Sequence, residues 1–160
     1  MTQPQLTTWP AGTSAAFHRS EASAVIGSGE QTWRRAADDL LRWKVKTRSG
    51  FAVADDQPVT AGAELIVTAR VLGVTIREPI RILSVVDTAD RVGFSYRTLP
   101  GHPVAGEEAF IVQRDGERVV LTVRSLTRAA AQWPWRPLFP LLRVAQLVVR
   151  RRYLRALVEP

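Results

Sequence analysis

The chain has 160 residues, 46% of them apolar and 23% charged, and a formal net charge of +7. That length suits one domain with its own core, and the ordinary apolar share argues against disorder. There is no Cys and there are two His, His18 and His102; this excludes disulfides, thiolate catalysis and Cys-ligated zinc, and leaves no basis for a multi-histidine metal site or a cofactor.

In chain order, residues 1–14 are rich in Thr, Pro and Gln and read as a loose arm, with a single domain expected over 15–160. The arm has neither the charged start nor the apolar run of a signal peptide, and a soluble, cytoplasmic protein is expected. A first strand is predicted over Ala16–Ile26, followed by Gly27-Ser28-Gly29 with Ser28 as a candidate N-cap. Trp33, Ala37, Leu40 and Leu41 then recur at helical spacing, which predicts a helix from Glu30 to Trp43. Strand patterns follow over Lys44–Ala54, Glu64–Leu72, Thr75–Val86 and Val92–Leu99, with Pro79 suggesting a bulge or an edge. A Pro/Gly loop, Pro100–Gly106, comes next. Glu107–Arg114 and Glu117–Thr127 flank Asp115-Gly116, a strong hairpin signal. Trp133-Pro134-Trp135 reads as an irregular connector, and a long helix is predicted from Pro137 to Val158. The order predicts an α+β fold with the helices on one side of an antiparallel sheet.

The charge is uneven. Residues 136–160 hold six Arg against one Glu, whereas residues 1–135 hold sixteen basic against fourteen acidic residues. On a helical wheel Leu138, Leu142, Ala145, Val149 and Ala156 form one stripe, with Tyr153 at its edge, and should face the sheet. Arg152 falls at the border of that stripe, where a partly buried guanidinium needs a carboxylate or carbonyl partner. Arg143, Leu147, Arg150, Arg151 and Leu154 project the other way, as a solvated face or as a contact for a partner or a membrane surface. The apolar stretch Leu138–Val149 is broken by Pro140, Arg143 and Gln146 and falls short of the ~20 residues that span a bilayer. The basic helix carries Leu and Val with one Tyr, so nucleic-acid binding is not expected.

Gly93-Phe94-Ser95-Tyr96-Arg97-Thr98-Leu99-Pro100-Gly101-His102-Pro103, continuing to Gly106-Glu107-Glu108-Ala109-Phe110, resembles the signature of an uncharacterised bacterial and plant family, a domain of unknown function. The resemblance extends to Gln146 and Arg151-Arg152-Tyr153-Leu154, and back to Gly27, Gly29, Trp33, Leu40 and Trp43. Arg97 departs from it, standing where the pattern has Gly. That family is similar to the START-like (SRPBCC) helix-grip superfamily. The resemblance implies a curved antiparallel sheet around a long C-terminal helix with a cavity between them, but no single activity.

His102, Glu107 and Glu108 are the cluster suited to acid–base work, because an imidazole exchanges protons near neutrality and a carboxylate can orient it. Consecutive residues of a strand point to opposite faces, so only one of the two Glu can face a cavity. Phe94, Tyr96, Phe110 and Trp133 are candidates to line a pocket for an apolar ligand, with Arg97 and Arg152 as its cations. Three readings stay open: a protein that binds a small apolar or amphipathic molecule, a cyclase- or isomerase-type enzyme, and an interaction module using the last helix.

Overall fold

The computed structural model describes residues 1–12, 16–54, 57–71 and 73–158; the expected strand end at Leu72 and residues 13 and 14 of the arm lie outside them. The strands are β1 (His18–Ser28), β2 (Phe51–Val53), β3 (Glu64–Val71), β4 (Val74–Asp87), β5 (Arg91–Thr98), β6 (Val104–Asp115) and β7 (Arg118–Ala129). The helices are α1 (Gly29–Leu41), the single turn α2 (Lys44–Thr47) and α3 (Trp135–Tyr153). The seven strands of the described residues form one antiparallel sheet in the order β1-β7-β6-β5-β4-β3-β2. Strands β2 to β7 are thus a meander, and β1 returns to the far edge beside β7. The fold is α+β of the helix-grip type, with a curved antiparallel sheet and a C-terminal helix.

Period-two alternation sorts the side chains between two faces. Phe94 and Tyr96 of β5, Phe110 and Val112 of β6, and Leu121 and Val123 of β7 turn to the inner face and join the core. Trp33, Ala36 and Leu40 of α1 pack onto that face as the helical spacing requires, with Ala37 and Leu41 at its margin. Ser28 stands at the N-cap in extended backbone, but its hydroxyl makes no capping hydrogen bond. The Asp115-Gly116 hairpin forms as the turn chemistry dictates, with Gly116 at φ 61°. Pro79 lies in β4, an interior strand, and the irregularity falls later, between Ile82 and Ser84.

Two bounds shift: β6 begins at Val104, inside the expected Pro100–Gly106 loop, and the last helix runs Trp135–Tyr153 instead of Pro137–Val158. Two further expectations are corrected. Lys44–Ala54 is not one strand. Trp43 takes the left-handed conformation (φ 63°) and ends α1, the chain makes one helical turn over Lys44–Thr47, and only Phe51–Val53 is extended. Val45 and Thr47 favour strands intrinsically, but the interior claims Val45 and Lys46 together, at 0% and 2% exposure. The segment 1–12, expected as a loose arm, lies against the outer face of the sheet. Thr2, Pro4 and Trp9 are buried, and two guanidiniums from the strands, Arg91 and Arg124, donate to its carbonyls. Arg124 reaches Gln3 O at 2.7 Å, Leu6 O at 2.9 Å and Thr7 O at 3.0 Å, and Arg91 reaches Pro4 O at 2.6 Å and Leu6 O at 2.7 Å.

Helix α3 does not lie flat on the core. Within it only Tyr153 is buried. Leu142 and Val149 are half-buried and Ala145 is exposed, because the middle of the helix arches over a cavity. No helix among the described residues is long and apolar enough to cross a membrane.

Candidate functional site

The cavity lies between the open end of the sheet and α3, with a volume of about 160 Å³. Val71, Ile76, Leu142, Ala145 and Val149 give it apolar walls, and Lys46, Tyr96, Glu108 and Tyr153 form its polar floor. Sheet register places part of that floor. Tyr96 faces Glu108 across β5 and β6, and Glu108 faces Ser125 across β6 and β7, so one cross-strand row is polar directly beside the Phe94–Phe110–Val123 row of the core.

Lys46 comes up from α2 beneath this row. Its Nζ donates to Tyr96 Oη at 2.6 Å and Tyr153 Oη at 2.7 Å, and meets Glu108 Oε2 at 3.3 Å. Those three bonds use all three ammonium hydrogens. The rings of Phe51, Tyr96 and Tyr153 stand 4.8–5.0 Å from Nζ and offer their faces to the charge. Tyr96 Oη donates in turn to Glu108. Burial, and then the Glu108 charge, hold both phenols well above their ordinary pKa, so they are neutral donors at any physiological pH.

His102 comes from the β5–β6 loop and is 6% exposed. Its Nδ1 accepts from the Val104 N–H at 3.1 Å, which leaves the proton of the neutral ring on Nε2. Burial, with the Lys46 charge adding to it, lowers its pKa to about 3, against a weaker pull upward from the Val104 hydrogen bond. The imidazole is neutral at pH 7. Glu78 Oε2 lies 3.8 Å from Nε2, beyond hydrogen-bond reach. Burial raises the Glu78 pKa, Lys46 opposes that, and Glu108 adds to it.

The expected site residues divide. Tyr96, His102 and Glu108 line the cavity. Glu107 borders it, but its carboxylate accepts from the Thr2 backbone N–H at 3.0 Å on the outer side. Phe94 and Phe110 belong to the core: Phe94 packs edge-on against Trp43 at 5.1 Å, and Phe110 lies under Tyr153 at 4.9 Å. Neither lines the cavity. Trp133 is 84% exposed in the connector and lines nothing. Arg97 points to the outer face, like its neighbour Ser95, and is exposed. Arg152 is exposed too, because the inner face of α3 is rotated toward Gln146 and Arg150, which line the cavity in its place. Arg150 and Leu154 therefore leave the expected outer contact face, Leu154 by packing against the core.

Lys46, Glu78 and Tyr153 are site residues that sequence reasoning did not single out. A signal existed for Glu78. Ile76, Glu78, Ile80 and Ile82 share one face of β4, and a carboxylate interrupting a row of Ile on an inward face needs a reason. Glu108 interrupts the β6 row in the same way, before Phe110 and Val112. Lys46 gave no such signal, since its turn read as strand.

Comparison with known proteins agrees with the fold. A family model described as a domain of unknown function, DUF1990, matches residues 2–156. A UPF0548 protein of Deinococcus radiodurans is 34% identical over 153 residues, which is 84% of this chain and 73% of that protein. Among solved structures, hypothetical protein jhp0584 of Helicobacter pylori superposes with a TM-score of 0.62 at 14% identity, over 99% of this chain and 97% of that one. The Zhui aromatase/cyclase of Streptomyces sp. R1128 superposes with a TM-score of 0.56 at 18% identity, over 88% and 91%. At such identities the likeness is one of fold.

Proposed function

We propose that this chain, which belongs to the DUF1990 family, binds a small, largely apolar molecule between its sheet and α3. The observation that carries this reading is the cavity itself. A helix that served only to close a core would bury its apolar face, yet Leu142, Ala145 and Val149 line open space instead. About 160 Å³ is the size of cavity that admits a benzene ring. Apolar walls with a few placed polar groups are the usual makeup of a small-molecule site.

The enzyme reading has less support. Its proton-handling trio was His102 with Glu107 or Glu108. Here His102 is held neutral far below neutral pH, Glu107 is occupied by the N-terminal segment, and Glu108 is tied to Lys46 and Tyr96.

Native mass spectrometry of protein purified from its own host without detergent tests the binding reading. A defined small-molecule adduct is expected, and Ala145→Trp, which fills the space under α3, should abolish it while the fold persists. A wild-type protein that carries no adduct and takes up no apolar probe would refute the reading.

A second reading rests on a separate observation. The outer side of α3 exposes Leu141, Val144, Leu147 and Val148, at 48–68%, beside Arg143 and Arg151. Apolar residues interleaved with Arg suit a helix resting on an anionic membrane surface.

A further inference from the structure

Three hydrogen-bonding groups of the cavity share one bias, beside the carboxylates of Glu78, Glu107 and Glu108 that also line it. Tyr153 Oη accepts from Lys46, and its own hydrogen meets no acceptor among the described residues. His102 Nδ1 accepts from the Val104 N–H, which leaves Nε2–H with no acceptor inside 3.5 Å among the described residues. Thr98 Oγ1 accepts from the Gly106 N–H at 3.0 Å, and its hydroxyl hydrogen is likewise unused. In each case the protein supplies a donor to the group's acceptor and leaves its hydrogen free.

All three groups line the same cavity. Thr98 is two residues beyond Tyr96, on the same face of β5, and the β5–β6 loop returns His102 beside it. Tyr153 and His102 are 3% and 6% exposed, and Thr98 is half-buried. A buried donor without an acceptor costs free energy comparable to a lost hydrogen bond. Two such donors, with the half-buried Thr98 O–H beside them, are explained if a ligand atom completes them.

Building on the binding reading, we propose that the cavity selects a molecule whose polar end is a bare oxygen acceptor, a carbonyl or carboxylate, received by Tyr153 O–H, His102 Nε2–H and Thr98 O–H. A protonated amine has no lone pair for these three donors, and its hydrogens would stand beside the Lys46 ammonium. Lys46 takes no direct part. Its three hydrogens are committed to the protein, and its role is to occupy the acceptor face of Tyr153 and so aim that hydroxyl at the ligand.

One-ring probes matched to the cavity volume test this by isothermal titration: acetophenone, benzoate, ethylbenzene and benzylamine. Acetophenone or benzoate should bind about tenfold or more tighter than ethylbenzene, with benzylamine weakest; the tighter of the first two tells carbonyl from carboxylate. Tyr153→Phe and His102→Asn, the latter keeping an acceptor for the Val104 N–H, should each weaken the preferred probe severalfold and narrow its advantage over ethylbenzene. Equal affinity for all four probes, or an acceptor preference that survives both substitutions, would overturn the inference while the binding reading stands. Failure of every probe to bind would overturn both.

Discussion

A lysine side chain stripped of water needs three acceptors, and Lys46 finds them in Tyr96, Tyr153 and Glu108. Acid sensitivity is a property of the neighbouring His102. The folded state holds this imidazole at a pKa of about 3, below its ordinary 6.5, so its contribution to stability is intact above 6.5 and is lost as pH falls toward 3. The unfolded chain takes up a proton there that the folded chain refuses. The urea midpoint should fall over that window by an amount corresponding to a few kcal/mol, and His102→Asn should flatten the fall. Glu78 works in the opposite sense: its raised pKa gives stability that is present below its unfolded value and declines as pH rises. A midpoint that falls as steeply in His102→Asn would place the acid sensitivity elsewhere. His102 was readable from the sequence as the one imidazole beside carboxylates. Its neutrality was not, because that depends on burial and on Lys46, which no local pattern brings near.

At the scale of elements, alternation and turn chemistry made β3 to β7 and the Asp115-Gly116 hairpin legible, and helical spacing did the same for α1. Those elements bury one clean face each, and a clean face leaves a period in the sequence. α2 buries a charge beside a Val and leaves no period. α3 carries a stripe, but the stripe faces a cavity, so its rotation is set by what lines that space and not by a packed core. This is why Arg150 turns inward and Arg152 does not. Leu147, 56% exposed on the outer side, makes the membrane reading testable. Leu147→Glu should change the unfolding free energy by no more than about 0.5 kcal/mol, and should abolish co-flotation with phosphatidylserine-containing vesicles. Wild-type protein that never floats with such vesicles would end that reading.

At the scale of the molecule, the N-terminal segment is as much part of the fold as any strand. Trp9 packs under Arg19, whose guanidinium carbon lies 3.3 Å from the ring centroid. The family match beginning at residue 2 includes this segment. Nothing in its Thr, Pro and Gln content announces a docked position, because its partners are two arginines more than 80 residues away. A variant lacking residues 2–9 should lose about 2 kcal/mol or more through unpaired guanidiniums and the lost burial of Trp9, read as a lower urea midpoint. An unchanged midpoint would show the segment to be an ornament of the outer face.

The strand order has a kinetic consequence. Strands β2 to β7 pair each with the next and can zip as the chain lengthens, but β1 must wait for β7, since His18 pairs with Thr127 and Ser28 with Arg118. Closing so long a loop is entropically slow, and contacts of this separation lengthen the search for the native state. During synthesis β1 and the segment before it emerge well ahead of β7 and find their places last. Until then the edge of β7 and the carbonyl-seeking Arg91 and Arg124 stand open, which makes the half-made chain the form most exposed to a wrong partner.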